Sequence, residues 1–283
     1  MLLPSARNRT IKTCTPPLCM LTCYDYPSAR ILEQAGIDIL LVGDSVGTNV
    51  LGYHTISQVT MNDMLHHTGA VARGAGACFV LADMPSGSFP TCESALENAG
   101  RLVEAGADGV KMEGESEALE QVRRVAGSGI PVCAHIGYTP QTDGEQARVQ
   151  GKHFDRAVEL VEIARSMEQA GATLLVLELV PRQLAAMITA QLTIPTIGIG
   201  AGGGCSGQVQ VLHDIAGVTE RTFRHAGSWG DLRSQLHAAA TAYCREVREA
   251  TFPAPHNSVE LDAALEQRIR EWFTAAAPLR ESP

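Results

Sequence analysis

Eight short apolar runs punctuate the chain: CMLTCYD, DILLVGDS, CFVLADM, GVKMEG, IPVCAHIG, LLVLELV, IPTIGIGAG and QVQVLHD. They recur roughly every 25 to 40 residues, are rich in Val, Ile and Leu, and are continuous more than alternating, the mark of strands buried on both faces. Between most of them lie stretches of helical spacing, at 26–36, 62–74, 92–106, 116–127, 153–171 and 182–191. The spacer after IPTIGIGAG is too short for a full helix. Repeated strand–helix units build a parallel sheet, and eight of them predict a closed (β/α)8 barrel, for which about 250 residues is typical. A doubly wound open sheet is the other architecture to weigh, but no GxGxxG follows the first run.

Two further helices are expected at 228–250 and 259–274. In the last, Leu261, Leu265, Ile269, Trp272 and Phe273 make one apolar stripe, of the kind that packs on its own domain or on a neighbouring subunit. The expected division is a catalytic barrel over 1–255 and a C-terminal helical extension over 256–283.

Composition narrows the function classes. With 283 residues, 45% hydrophobic and 19% charged, the chain can build a large core. A net charge of −9 and the lack of a basic cluster argue against a nucleic-acid surface. The N-terminal MLLPSARNRTIKTCTPPLCM is interrupted by Pro4, Pro16 and Pro17, and no apolar run is long enough to span a bilayer. A cytoplasmic protein without a membrane partner is therefore expected. The cysteines, at 14, 19, 23, 78, 92, 133, 205 and 244, lack zinc-type pairs and read as reduced, largely buried thiols.

The chemistry enters where apolar runs end in acids. One Asp after a strand reads most simply as a cap for the next helix, because a carboxylate beside an apolar strand otherwise needs a partner. Here the pattern recurs: Asp44, Asp83, Glu113 and Glu178 end the second, third, fourth and sixth runs. Side chains two apart share a strand face, so Asp44 is expected to follow Leu40 and Val42, and Asp83 to follow Phe79 and Leu81. Lys111 shares a face with Glu113, as Leu174 and Val176 do with Glu178. In a barrel such residues converge on one rim, where active sites are built. Three carboxylates aimed at one small volume repel one another unless a cation lies between them, and oxygen donors suit Mg²⁺. Lys111 adds positive charge for a substrate oxygen, and whichever acid is not a ligand is free to act as a base.

The stretches TCYDYPSARILEQAGIDILLVGDSVG, VARGAGACFVLADMP, AGADGVKMEG, GIPVCAHIGYTPQ, VQGK, LLVLELVP and IPTIGIGAG carry a resemblance, in order and over roughly residues 10 to 255. Together they resemble the ketopantoate hydroxymethyltransferase family. That resemblance implies a (β/α)8 barrel of the phosphoenolpyruvate mutase/isocitrate lyase-like type, an Mg²⁺ site, and a homo-oligomer, often a decamer. It implies transfer of a one-carbon unit from 5,10-methylenetetrahydrofolate to C3 of 3-methyl-2-oxobutanoate, in pantothenate synthesis. Position by position, Asp44, Asp83 and Glu113 match the metal-site acids. Ser45, with Asp44, Asp83 and Lys111, matches the groups that hold the 2-oxo acid, and Glu178 matches the proposed base. His135 has the parity to face inward and contact substrate or folate. His66 and His67, on a helix, read as solvated or core side chains. The glycines of GIGAGGG serve a turn or a ligand cradle equally well.

Departures from the family pattern cluster near the rim. Ser86 follows LADMP where Phe is usual, and Ser206 stands where Asp is usual. His54 replaces an Asp, and Glu115 replaces the second glycine of EGG. The lead-in to VQG is EQAR, including Ala147, in a segment that looks about two residues shorter. These changes leave all the site acids in place. They permit either ketopantoate synthesis or hydroxymethylation of a bulkier or more polar 2-oxo acid. A related Mg-dependent C–C or P–C lyase or mutase is a further alternative, weakened by the absence of a KKCGH-type loop.

Overall fold

The computed structural model describes residues 16–144, 147–219 and 223–276. Cys14, most of the N-terminal segment, and Glu145 and Gln146 of the EQAR lead-in lie outside the described residues. The strands are β1 (Leu18–Thr22), β2 (Ile39–Val42), β3 (Phe79–Asp83), β4 (Gly109–Glu113), β5 (Val132–Gly137), β6 (Leu174–Glu178), β7 (Thr196–Ile199) and β8 (Gly207–Gln210). They pair in sequence order, all parallel, and β1 closes on β8. The closed (β/α)8 barrel is therefore as the hydrophobic pattern predicts. Closure needs a tight seam, and Gly207 supplies it: a Cβ there would collide with the carbonyl of Leu18.

Six substantial helices follow strands in this unit, interspersed with short turns: α1 (Tyr26–Gln34), α2 (Met61–Gly74), α3 (Cys92–Glu104), α4 (Leu119–Ala126), the single turn α5 (Pro140–Asp143), α6 (Phe154–Gln169), α7 (Arg182–Gln191) and the single turn α8 (Leu212–Ile215). Their starts are set locally. Asp25 caps α1 by accepting from the Ser28 amide at 2.7 Å, with Pro27 in the first turn, and Thr60 and Thr91 cap α2 and α3. The β7–β8 connection carries no helix, as its short spacer requires.

Two apolar clusters show which way each strand faces. Leu18, Met20, Ile39, Leu41, Phe79, Leu81, Cys133, Leu174, Val176, Ile197 and Val209 plug the barrel interior. Leu40, Val42, Val80, Ala82, Val110, Met112, Ala134, Ile136, Leu175 and Leu177 pack in the larger cluster shared with the helices. This corrects the alternation expected for β2. Leu40 and Val42 face the helices, and Asp44 does not share an inward face with them. β2 ends at Val42, and Asp44 reaches the rim because the chain turns there.

A second compact unit begins at Leu232. It contains α9 (Leu232–Arg248) and α10 (Ala263–Ala276). Within it, the Tyr243 and Phe252 rings meet edge to face, with centroids 5.8 Å apart. Leu261, Leu265, Trp272 and Phe273 of the expected stripe are exposed. Among the described residues no helix is long and apolar enough to cross a membrane.

Candidate active site

Above the apolar plug, the next inward positions of four neighbouring strands are polar. Asp83 ends β3, Lys111 and Glu113 stand two apart on β4, His135 is on β5 and Glu178 ends β6. Strand register places Asp83 beside Lys111 and Glu113 beside His135. Asp44, Asp83, Lys111, Glu113 and His135 are all buried, and the Glu178 side chain is 17% exposed.

These groups form two sets of contacts around the rim. Lys111 Nζ lies 2.5 Å from Asp83 Oδ1, and Asp83 Oδ2 accepts the Asp44 amide at 3.0 Å. His135 Nδ1 is 3.1 Å from Glu113 Oε2, and Nε2 is 3.2 Å from Glu178 Oε2. Those are ion-pair distances without the alignment of full hydrogen bonds. Ser45 sits beside Asp44, its Oγ 2.9 Å from the buried Tyr24 hydroxyl.

The backbone is shaped to fit. Gly137, with φ of +100°, lets β5 pass close under β6, because a Cβ there would strike the Glu178 carbonyl. Leu179, directly after Glu178, takes a left-handed φ of 50°. Such a conformation costs on the order of 1–3 kcal/mol for a side chain of this kind and marks a point where the chain is held to a purpose. Hydrogen bonds from its amide to Ile199 O and to its carbonyl from Gln150 N, both 2.9 Å, hold it there.

The electrostatics follow from crowding acids in a dry place. Burial first, then the Asp83 charge, pushes the Asp44 carboxyl up to about 7. Against the opposing effect of its own burial, Lys111 is held well above the usual lysine range by Asp83, Asp44 and Glu113. His135 overcomes burial and the Lys111 charge to reach about 9, because Glu113 and Glu178 flank it. Glu113, though burial opposes it, is held below the usual carboxylate range by His135. The site thus carries more acid than its own cations compensate.

That excess fits a small, hard dication. Asp44 and Asp83 are adjacent oxygen donors, and Asp44 is the acid most in need of a positive neighbour. Among the described residues no three His, Cys, Asp or Glu side chains converge as a ready-made cage. Such a site suits Mg²⁺, which keeps several positions for water and substrate oxygens.

Two residues of this rim were not assigned a role from sequence. Tyr24 follows β1 within TCYD, and its hydroxyl contacts Ser45. Gln141 lies in α5 within HIGYTPQ, and contacts Asp44, Met84 and Glu113. Both stand inside motifs that carry the family resemblance, but their partners lie on other strands. Of the departures, Ser86 is half-buried just past β3, and Ser206 pins β7 to β8 through Thr196, accepting its amide at 3.1 Å. Glu115 makes a two-pronged ion pair with Arg156 at 2.5 and 2.8 Å. His54 and Ala147 are exposed, and nothing in the structure explains them.

Comparisons with known proteins agree with this picture. The family model for ketopantoate hydroxymethyltransferase matches residues 6–255. A protein of Chloroflexus aurantiacus named 3-methyl-2-oxobutanoate hydroxymethyltransferase is 47% identical over 248 residues, covering 87% of this chain and 88% of its own. One of the same name from Halorhodospira halophila is 46% identical over 258 residues, covering 90% and 94%. Among solved structures, a phosphonopyruvate hydrolase complex with oxalate and Mg²⁺ superposes with a TM-score of 0.56, at 13% identity and 92% coverage of both chains. A 2,3-dimethylmalate lyase, a PEP mutase/isocitrate lyase superfamily member, superposes with a TM-score of 0.53, at 16% identity and coverage of 92% and 95%. At such identities these two speak for the shared barrel alone. The sequence relatives go further, and by them the chain belongs to the ketopantoate hydroxymethyltransferase family.

Proposed function

We propose that this protein transfers a one-carbon unit from 5,10-methylenetetrahydrofolate to C3 of 3-methyl-2-oxobutanoate, forming ketopantoate for pantothenate synthesis. Asp44 and Asp83, with Glu113 behind them, would hold Mg²⁺, which when bound polarises the keto and carboxylate oxygens of the substrate. Ser45 and Lys111 border the same space and supply a hydroxyl and a positive charge to the 2-oxo acid. Glu178, partly open to solvent at the rim, takes the C3 proton. The carbon so activated bonds to the one-carbon unit, whose two bonds to the folate nitrogens break while water supplies the hydroxyl oxygen, leaving ketopantoate and tetrahydrofolate.

The observation that carries this reading is the placement of His135 between Glu113 and Glu178. It ties the acid proposed as base to Glu113, one of the acids proposed for the cation, on adjacent strands of one rim. Both ring nitrogens of His135 face carboxylates, Nδ1 toward Glu113 and Nε2 toward Glu178, so it acts on substrate through them. A homo-oligomer, a decamer by family resemblance, and cytoplasmic residence belong to the same proposal.

Glu178→Gln tests it, since an amide preserves shape but cannot take the proton. The variant should still bind Mg²⁺ and 2-oxo acid while exchange of the C3 proton with solvent deuterium falls roughly 10²–10⁴-fold. Exchange at the wild-type rate removes Glu178 from the role. A second reading, a larger or more polar 2-oxo acid, is favoured by Ser86, half-buried beside Met84 and Pro85 just past Asp83. Incubation with methylenetetrahydrofolate, Mg²⁺ and a panel of 2-oxo acids, with products identified by mass, separates the two and would also reveal any cleavage product of lyase chemistry.

A further inference from the structure

Gln141 touches three of the rim's strand ends at once. Its backbone amide donates to Glu113 Oε1 at 2.6 Å, at the end of β4. Its side-chain Nε2 donates to Asp44 Oδ2 at 2.8 Å, beyond β2, and to the Met84 carbonyl at 3.1 Å, beyond β3. The residue is half-buried, in the first turn of α5, immediately after the fifth strand of the barrel.

The turn that presents it is held without it. Pro140 opens the turn, and the Thr139 amide and hydroxyl donate to Asp143 Oδ2 at 3.0 and 3.2 Å. The Gln141 side chain adds nothing to that local cap and reaches instead to a residue 97 positions earlier in the chain. Its orientation is fixed chemically as well: an ionised carboxylate and a backbone carbonyl only accept, so the NH₂ end must face them.

The residue type also fits the task. A lysine here would neutralise Asp44 and compete with a cation for it. A glutamate would add a further charge to a crowded group of acids. An amide orients the carboxylate by donating a hydrogen bond and leaves the net charge of the site unchanged. Outer partners of this kind set the direction of a metal-binding carboxylate and with it the affinity.

We infer that Gln141 is a positioning residue for the cation site: its amide sets the direction of the Asp44 carboxylate and its backbone ties that setting to Glu113. The inference rests on the metal site proposed above, and the test keeps the two apart.

Gln141→Met keeps the length of the side chain and the backbone donor to Glu113, but removes both side-chain donors. Titration of the purified full-length protein with Mn²⁺, followed by electron paramagnetic resonance, should show a Kd raised roughly 10- to 100-fold. Gln141→Asn keeps an amide one methylene too short to reach Asp44, and should behave in the same way; it also stands in if the Met variant fails to fold. Thr142→Ala, on the exposed neighbour, serves as the control at wild-type affinity. A side chain of merely structural importance would lower the melting temperature and leave the Mn²⁺ affinity of the folded protein alone. If wild type binds Mn²⁺ and both variants match its Kd within about twofold, against the larger effect expected of such partners, the positioning role is overturned. If wild type binds no Mn²⁺ at all, the metal reading falls and takes this inference with it.

Discussion

His135 Nε2 faces Glu178 Oε2 at 3.2 Å, across the β5–β6 ladder, and the imidazole is buried. A base held this way is fixed in place by the ring beside it. The same ring faces Glu113 Oε2 at 3.1 Å, so one residue balances two acids.

His135→Asn should therefore damage both fold and chemistry. Removing the cation from between two carboxylates, one of them deeply buried, leaves uncompensated charge and is expected to cost about 3 kcal/mol in urea unfolding. Misplacing Glu178 should slow C3 proton exchange on the order of 10²-fold. Unchanged stability and exchange would show that the ring is a bystander.

Asp44 and His135 make the metal-free protein sensitive to pH in one direction. Asp44 is raised from its usual value to about 7, so its stabilising contribution is complete below the ordinary carboxylate range and is lost as pH rises through 7. His135 is raised to about 9, so its contribution is complete below the ordinary histidine range and is lost as pH rises through 9. Glu113, held low, acts oppositely, but only under acidic conditions. The melting temperature of metal-free protein should fall from about pH 6 to pH 9. Asp44→Asn should remove the part of that fall that lies below about pH 7. A melting temperature that rises over this range contradicts the assignment.

Cation binding should oppose that loss. Anything that binds the folded state at a hundred times its Kd stabilises by about 2.7 kcal/mol. Mg²⁺ should raise the melting temperature of wild type accordingly, and chelation should reverse the gain. Asp83→Asn, which removes one of the two adjacent donors, should abolish most of it. A variant stabilised as strongly as wild type would place the cation elsewhere.

Ser86 offers a test of substrate choice. If the missing aromatic side chain marks a remodelled acyl pocket, Ser86→Phe should shift preference toward 3-methyl-2-oxobutanoate by roughly ten- to two-hundredfold in kcat/KM. Should wild type already use that acid with kcat/KM of about 10⁴ M⁻¹s⁻¹ or better, the range of ordinary metabolic enzymes, Ser86 has no bearing on specificity.

Much of this was legible in the linear chain, and for local reasons. An apolar run such as LLVLELV can bury both faces only as an inner strand, and β6 forms within it, at Leu174–Glu178. Helix starts were equally local, since Asp25, Thr60 and Thr91 each cap within three residues of themselves. Period-two alternation sufficed to aim Asp83, Lys111, Glu113, His135 and Glu178 inward, because each lies within a regular strand.

The alternation rule failed at Asp44, which lies past the end of β2, where the backbone turns and strand parity no longer applies. Nor did any spacing announce that Gln141 would meet Asp44, or that His135 would stand between two acids. Those contacts depend on how the strands pair in register, and the one from Gln141 reaches a residue 97 positions away. Strand faces and helix caps are decided by neighbours along the chain, so the amino-acid order determines them. Which charged groups share a dry volume, and hence which of them must hold a proton or attract a cation, depends on distance through space, and only the closed barrel sets that.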